Sequence, residues 1–235
     1  MKKFFLSVLP VAAFIVVSCG GGQPKNSSTT TEESKSSTTS TTKKYEIKSG
    51  IVHYKPFEIM GVKSTQTLYF DDYGNKEVSQ TDVETNMMGY TAKEQKIVLK
   101  ADGYSTSFDL IKVKNGKDEL VKEAQKSKLL GMGGMSSMAA TAMGDEMKKQ
   151  MDFKEEGTEQ IAGVTGKKFS MAMNKQKPDQ RIYSVTYKNL MLRTEMGGIK
   201  IEAVKVEENV DIPSSKFQIP ADYKIIDADA TTGSK

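Results

Sequence analysis

The chain has 235 residues, of which 37% are hydrophobic and 27% charged, enough for one large domain or two small ones. A net charge of +4, with no basic cluster interleaved with aromatics, argues against a nucleic-acid surface. The chain has one cysteine, Cys19, and one histidine, His53, so Cys/His zinc sites and Cys–His or Ser–His–Asp nucleophile systems are excluded unless His53 serves alone.

Residues 1–18 read as a secretory signal. Lys2 and Lys3 supply the positive start, and Phe4 to Val17 form an apolar run too short to span a bilayer. The run ends in Val17-Ser18-Cys19-Gly20, which resembles the lipobox of bacterial lipoproteins. That resemblance implies cleavage before Cys19 and acylation of its sulfur and new amino terminus, a stable anchor because several acyl chains are attached. Gly20 and Gly21 lack the aspartate that retains some lipoproteins in the inner membrane, so the outer membrane is expected. Residues 19–43 are rich in Ser and Thr and form no core, so they read as a disordered tether with a reach of roughly 25–30 Å.

Strand patterns follow, in a single domain over residues 44–227. Tyr45-Glu46-Ile47-Lys48 leads through Gly50 into Ile51-Val52-His53-Tyr54, where His53 reads as a structural residue rather than a base. Leu68-Tyr69-Phe70 ends at the turn cluster Asp71-Asp72-Tyr73-Gly74-Asn75, which lacks the ligand spacing of a calcium loop. Ile97-Val98-Leu99 precedes a turn at Asp102-Gly103. Tyr104, Thr106, Phe108 and Leu110 then alternate with Ser105, Ser107 and Asp109, one face buried and one wet. Asn115-Gly116 closes this half.

The stretch 118–151 is the chemical oddity. Met132, Met135, Ala139, Met143, Met147 and Met151 recur every three or four residues, which predicts one face of a helix. Asp118 is placed to cap an earlier helix carrying Leu120, Val121, Ala124, Leu129 and Leu130, and Gly131, Gly133 and Gly134 form a joint between the two. The methionines have three readings: plain packing, a lid over a hydrophobic ligand, or a Cu(I) site at Met132, Met135 and Met138.

Strands resume after it. Phe169, Met171 and Met173 share one face, and Tyr183, Val185 and Tyr187 alternate with Ile182, Ser184 and Thr186. Ile199, Ile201 and Ala203 have one parity and Val204 and Val206 the other, which predicts a bulge. Pro213 and Pro220 frame Phe217, and residues 228–235 read as a frayed tail.

This layout resembles the LolA/LolB-like superfamily of bacterial envelope proteins, in its lipoprotein branch. The resemblance is carried by YEIKSGIVHY (Tyr45–Tyr54), YFDDYG (Tyr69–Gly74), GTEQIAGVTGKKF (Gly157–Phe169), YKNLMLRTE (Tyr187–Glu195) and IPSSKFQIPADY (Ile212–Tyr223). It implies an α+β fold, a curved antiparallel β half-barrel with a helical lid inserted mid-chain. It also implies binding of acyl chains or other hydrophobic molecules. The chain is expected to be a monomeric, non-enzymatic binding protein without a cofactor, whose partner is a lipid or acylated protein. The expected lid residues are Met132, Met135, Met138, Met143 and Met147, and the expected cleft residues are Phe108, Leu110, Phe169, Met171, Tyr183 and Val185. Val164-Thr165-Gly166 stands where some relatives carry a cysteine, so no redox role transfers. The competing readings are a periplasmic Cu(I)-binding protein and a structural surface lipoprotein with no ligand.

Overall fold

The computed structural model describes residues 43–129, 144–174 and 177–228. Cys19, the tether, the glycine joint, the Met132, Met135, Met138 and Met143 positions and the 229–235 tail lie outside them. The N-terminal half is a meander of β1 (Gly50–Tyr54), β2 (Phe57–Ile59), β3 (Val62–Asp71), β4 (Lys76–Met87), β5 (Tyr90–Ala101), β6 (Tyr104–Lys114), β7 (Lys117–Asp118) and β8 (Glu123–Lys128). The C-terminal half begins with one short helix, α1 (Asp145–Gln150). It continues through β9 (Lys154–Ile161), β10 (Val164–Asn174), β11 (Lys177–Tyr187), β12 (Leu190–Met196), β13 (Ile199–Glu208) and β14 (Lys224–Asp227).

The tight connections follow from their residues. Asp102-Gly103 and Asn115-Gly116 both hold φ positive at both positions (53° and 78°, 46° and 74°), the geometry of two-residue hairpin turns. Asp and Asn tolerate that region better than most side chains, and glycine meets no Cβ penalty there.

All strands join one 14-stranded sheet in the order β14-β8-β6-β5-β4-β3-β1-β13-β12-β11-β10-β9, with β2 and β7 added beside β3 and β6. Every pairing is antiparallel except β14 with β8. The sheet is open and fits a half-barrel. β1 joins its halves: Gly50 lies opposite Phe70 on one side and Glu208 on the other. The register there shifts between His53 and Tyr54, which face Lys205 and Ala203, so Val204 is the extra residue of the expected bulge.

Three expectations need correction. Residues 45–48 form no strand: Lys44 and Tyr45 donate their backbone N–H groups to the Tyr73 carbonyl and Glu46 to that of Lys188. Turn carbonyls satisfy this segment instead of a neighbouring strand, and Tyr45 and Ile47 still enter the core.

The helix expected from Asp118 is instead β7 and β8. Asp118 Oδ1 accepts from the Leu120 N–H at 2.9 Å, closing a turn, and Ala124 is fully buried between β6 and β14. Pairing on both sides of β8 outweighs the local helix propensity of this stretch. Of the expected mid-chain lid, α1 is the only helix among the described residues.

Phe108 and Leu110 belong to a closed core rather than a cleft. Phe108 packs with Val78, Ile97, Leu99 and Ala124 under Phe217, Ile219 and Tyr223 from the C-terminal segment. Its ring meets Tyr223 edge-on at 5.4 Å, and the Tyr223 hydroxyl donates to the Asp109 carbonyl at 2.5 Å.

Candidate functional site

Directly opposed residues in paired strands share a face. Tracing that rule across the sheet links Lys100 with Glu77, Val98 with Ser79, Ser79 with Leu68, and Leu68 with Val52. The same face continues through Tyr54 opposite Ala203 and Ile201 opposite Thr194. Lys100, Glu77, Val98, Ser79, Leu68, Tyr54, Ile201 and Thr194 all line one cavity of about 340 Å³, completed by Tyr45, Gln66, Asn189 and Met191. From β5 to β12 is five strand steps, about 24 Å in a flat sheet at ~4.8 Å per step. A single small cavity touching both strands requires the sheet to bend around it.

The lining is mixed: Leu68, Val98, Met191 and Ile201 are apolar, Gln66, Ser79 and Thr194 are polar, and a charged corner holds Glu77 and Lys100. Glu77 sits at that corner, 4% exposed. Its Oε1 accepts a hydrogen bond from Lys44 Nζ at 2.6 Å and another from the Tyr45 phenol, and Lys100 Nζ lies 3.9 Å from its Oε2. Burial, reinforced by the Glu77 charge, pushes the Tyr45 and Tyr54 phenols well above their ordinary ionisation range. Tyr54 donates its hydroxyl proton to the Met191 carbonyl at 2.9 Å, which ties β1 to β12 across the cavity floor.

The cleft residues expected from sequence do not converge. Phe169 opposes Ser184 and Met171 opposes Ile182, whereas Tyr183 opposes Ser170 and Val185 opposes Lys168. Tyr183 and Val185 therefore face away from Phe169 and Met171. Phe169 and Met171 lie under α1 and the residues just after it, packed with Met147, Met151, Phe153 and Ile182. Three bonds hold that end of the helix to the sheet: Ala172 N–H donates to the Met151 carbonyl at 2.7 Å, Arg181 Nη2 to that of Asp152 at 2.7 Å, and Arg181 Nη1 to the Asp152 carboxylate at 2.7 Å. A second cavity of about 320 Å³ opens beside α1, between Phe153, Phe169, Lys148 and Lys167. Met147, one of the lid methionines named from the sequence, packs against Phe169 and Met171, away from the larger cavity.

The larger cavity escaped the sequence reading because its wall alternates badly. Glu77, Ser79, Ser105 and Ser107 share the face of Val98 and Lys100, so the strand pattern marks that face as the wet one. The apolar parity of β6 instead fills the closed core on the opposite side. A buried acid beside a turn was the one available signal, and it has no distinctive spacing.

His53 Nε2 lies 3.0 Å from Glu207 Oε1, on a partly exposed strand face away from the cavity. Among the described residues no group of three His, Cys, Asp or Glu side chains could hold a metal, and no helix is long and apolar enough to cross a membrane.

No family model matches the chain, and no curated protein matches it. Among solved structures, it is similar to an uncharacterized conserved protein from Thermus thermophilus, with 8% identity and a TM-score of 0.46 over 77% of this chain and 91% of that one. It is also similar to MucB of Pseudomonas aeruginosa, solved in complex with MucA, with 12% identity and a TM-score of 0.41. That match covers 76% of this chain and 58% of the other, so the chain spans a little over half the length of the MucB relative. A DUF1329 family protein from Desulfovibrio piger matches with 13% identity and a TM-score of 0.26, over 72% of this chain and 88% of that one. At these scores the likenesses carry no argument about function.

Proposed function

We propose that the chain is a lipid-anchored envelope protein, tethered through an acylated Cys19 to the outer membrane, that binds one small hydrophobic or amphipathic molecule and catalyses nothing. The cavity carries this reading. It has an apolar wall, a few converging polar groups and a volume near the lower end of the ~300–1,000 Å³ usual for small-molecule sites. The lipobox-like Val17-Ser18-Cys19-Gly20 supports the anchor, and the resemblance to the LolA/LolB-like superfamily supports a lipid or acyl chain as the cargo.

Native mass spectrometry of the full chain, extracted from membranes in mild detergent, tests the binding. A bound small molecule is expected, and Ser79→Phe, which fills the cavity, removes it. A protein that is empty as isolated and indifferent to added lipids ends the reading. The anchor has its own test: labelled palmitate enters the wild-type chain and fails to enter Cys19→Ala.

A further inference from the structure

The cavity lining is electrically uneven, and the unevenness selects a ligand. Among the described residues, Glu77 and Lys100 are the one carboxylate and the one ammonium that line it. The Glu77 carboxylate is already occupied, by Lys44 at 2.6 Å and by the Tyr45 phenol. Lys100 is held more loosely: it forms an ion pair with Oε2 at 3.9 Å, beyond hydrogen-bond length, and its side chain is about a third exposed. Lys44 and Lys100 against Glu77 leave one surplus positive charge at the polar corner. The rest of the lining is uncharged: Leu68, Val98, Met191 and Ile201 give apolar contact, interleaved with the polar Gln66, Ser79 and Thr194. A concave, largely apolar wall strengthens any charge pair formed inside it.

We infer that the cavity takes a single-chain amphiphile with an anionic head, seated with the head on Lys100 and the chain along the apolar wall. The inference rests on the binding reading above. A volume of about 340 Å³ suits one chain rather than a two-chain lipid. A cationic head meets Lys100 as a like charge, and a neutral head gains no charge pair with it.

The test is a calorimetric titration of the full chain with decanoate, decyl phosphate, decanol and decyltrimethylammonium, each kept below its micelle concentration. Decanoate or decyl phosphate is expected to bind roughly tenfold more tightly than decanol, a difference of ~1.4 kcal/mol. The better of the two tells a carboxylate head from a phosphate one. Lys100→Met should abolish the preference for the anions over decanol, and Lys100→Glu should shift it to decyltrimethylammonium. Circular dichroism checks that both variants fold. Decanol binding as well as the anions, or an anion preference that survives Lys100→Met, overturns the inference while the binding reading stands. Failure of all four probes to bind overturns both.

Discussion

The Tyr45 phenol donates a hydrogen bond to the Glu77 carboxylate, joining the irregular segment ahead of β1 to the start of β4. The same carboxylate receives Lys44, so one buried acid holds the chain entry against the cavity wall. Glu77→Gln keeps an acceptor for the phenol and removes the charge that Lys44 meets. A loss of about 1–2 kcal/mol is expected, discounted because Lys44 is partly exposed. That corresponds to a fall in Tm of roughly 2–8 °C. An unchanged melting curve would show that the contact contributes nothing to stability.

Acid should weaken the fold through Arg193. This side chain on β12 donates from Nη2 to Glu159 Oε2 on β9 at 2.5 Å, and from Nη1 to Glu202 at 3.4 Å. The guanidinium holds the Glu159 carboxyl below its ordinary value of 4.5. The unfolded chain then binds the proton more readily than the folded one, so stability is present above about pH 4.5 and is lost as pH falls through the lower folded value. Urea midpoints between pH 7 and pH 3 should fall in the wild type below that point. The fall should be shallower in Arg193→Met, and parallel curves would contradict the account.

Alkali acts on the other side. Tyr45 and Tyr54 are held neutral by burial first and by the nearby Glu77 second, so their raised values stabilise the fold below about pH 10 and cease to do so as pH climbs. Of the nine tyrosines, these two should ionise last, and only together with unfolding, in an absorbance titration at high pH. Tyr54→Phe should remove one late-ionising phenol from the curve. If all the tyrosines ionise in one early step, the burial argument is wrong.

Gly50 should tolerate no side chain. A Cβ there would stand 2.5 Å from the Glu207 carbonyl oxygen and 2.6 Å from the Phe70 ring, both closer than real contacts allow. Gly50→Ala is expected to cost about 1–3 kcal/mol, the usual range for overpacking. Hydrogen exchange should show the added openings in the amides of β1 and β13, and protection as in wild type would refute the seam as a tight junction.

Much of the sheet was legible because period-two alternation and Asp-Gly or Asn-Gly turns are local signals. The hairpin at Asp102-Gly103 and the bulge at Val204 both follow from residues within a few positions of each other. β8 was not legible: its neighbours β6 and β14 are supplied by distant sequence, and Ala124 alone does not announce a buried strand. The cavity was hidden for a related reason. Alternation tells which side of a strand is greasy, and here the greasy side of β6 is sealed by Phe217, Ile219 and Tyr223 while the mixed side bends around open space. Curvature is a property of the whole sheet, so no single strand encodes it visibly.

The position of β1 has a consequence for how the chain acquires its shape. This five-residue strand pairs with β3 close by and with β13 near the far end, Gly50 against Glu208. Such distant partners make loop closure expensive and folding slow. Until β13 arrives, one border of β1 presents unsatisfied backbone groups, an adhesive rim open to other chains. The molecule is therefore most vulnerable to clumping when nearly all of it has already been made.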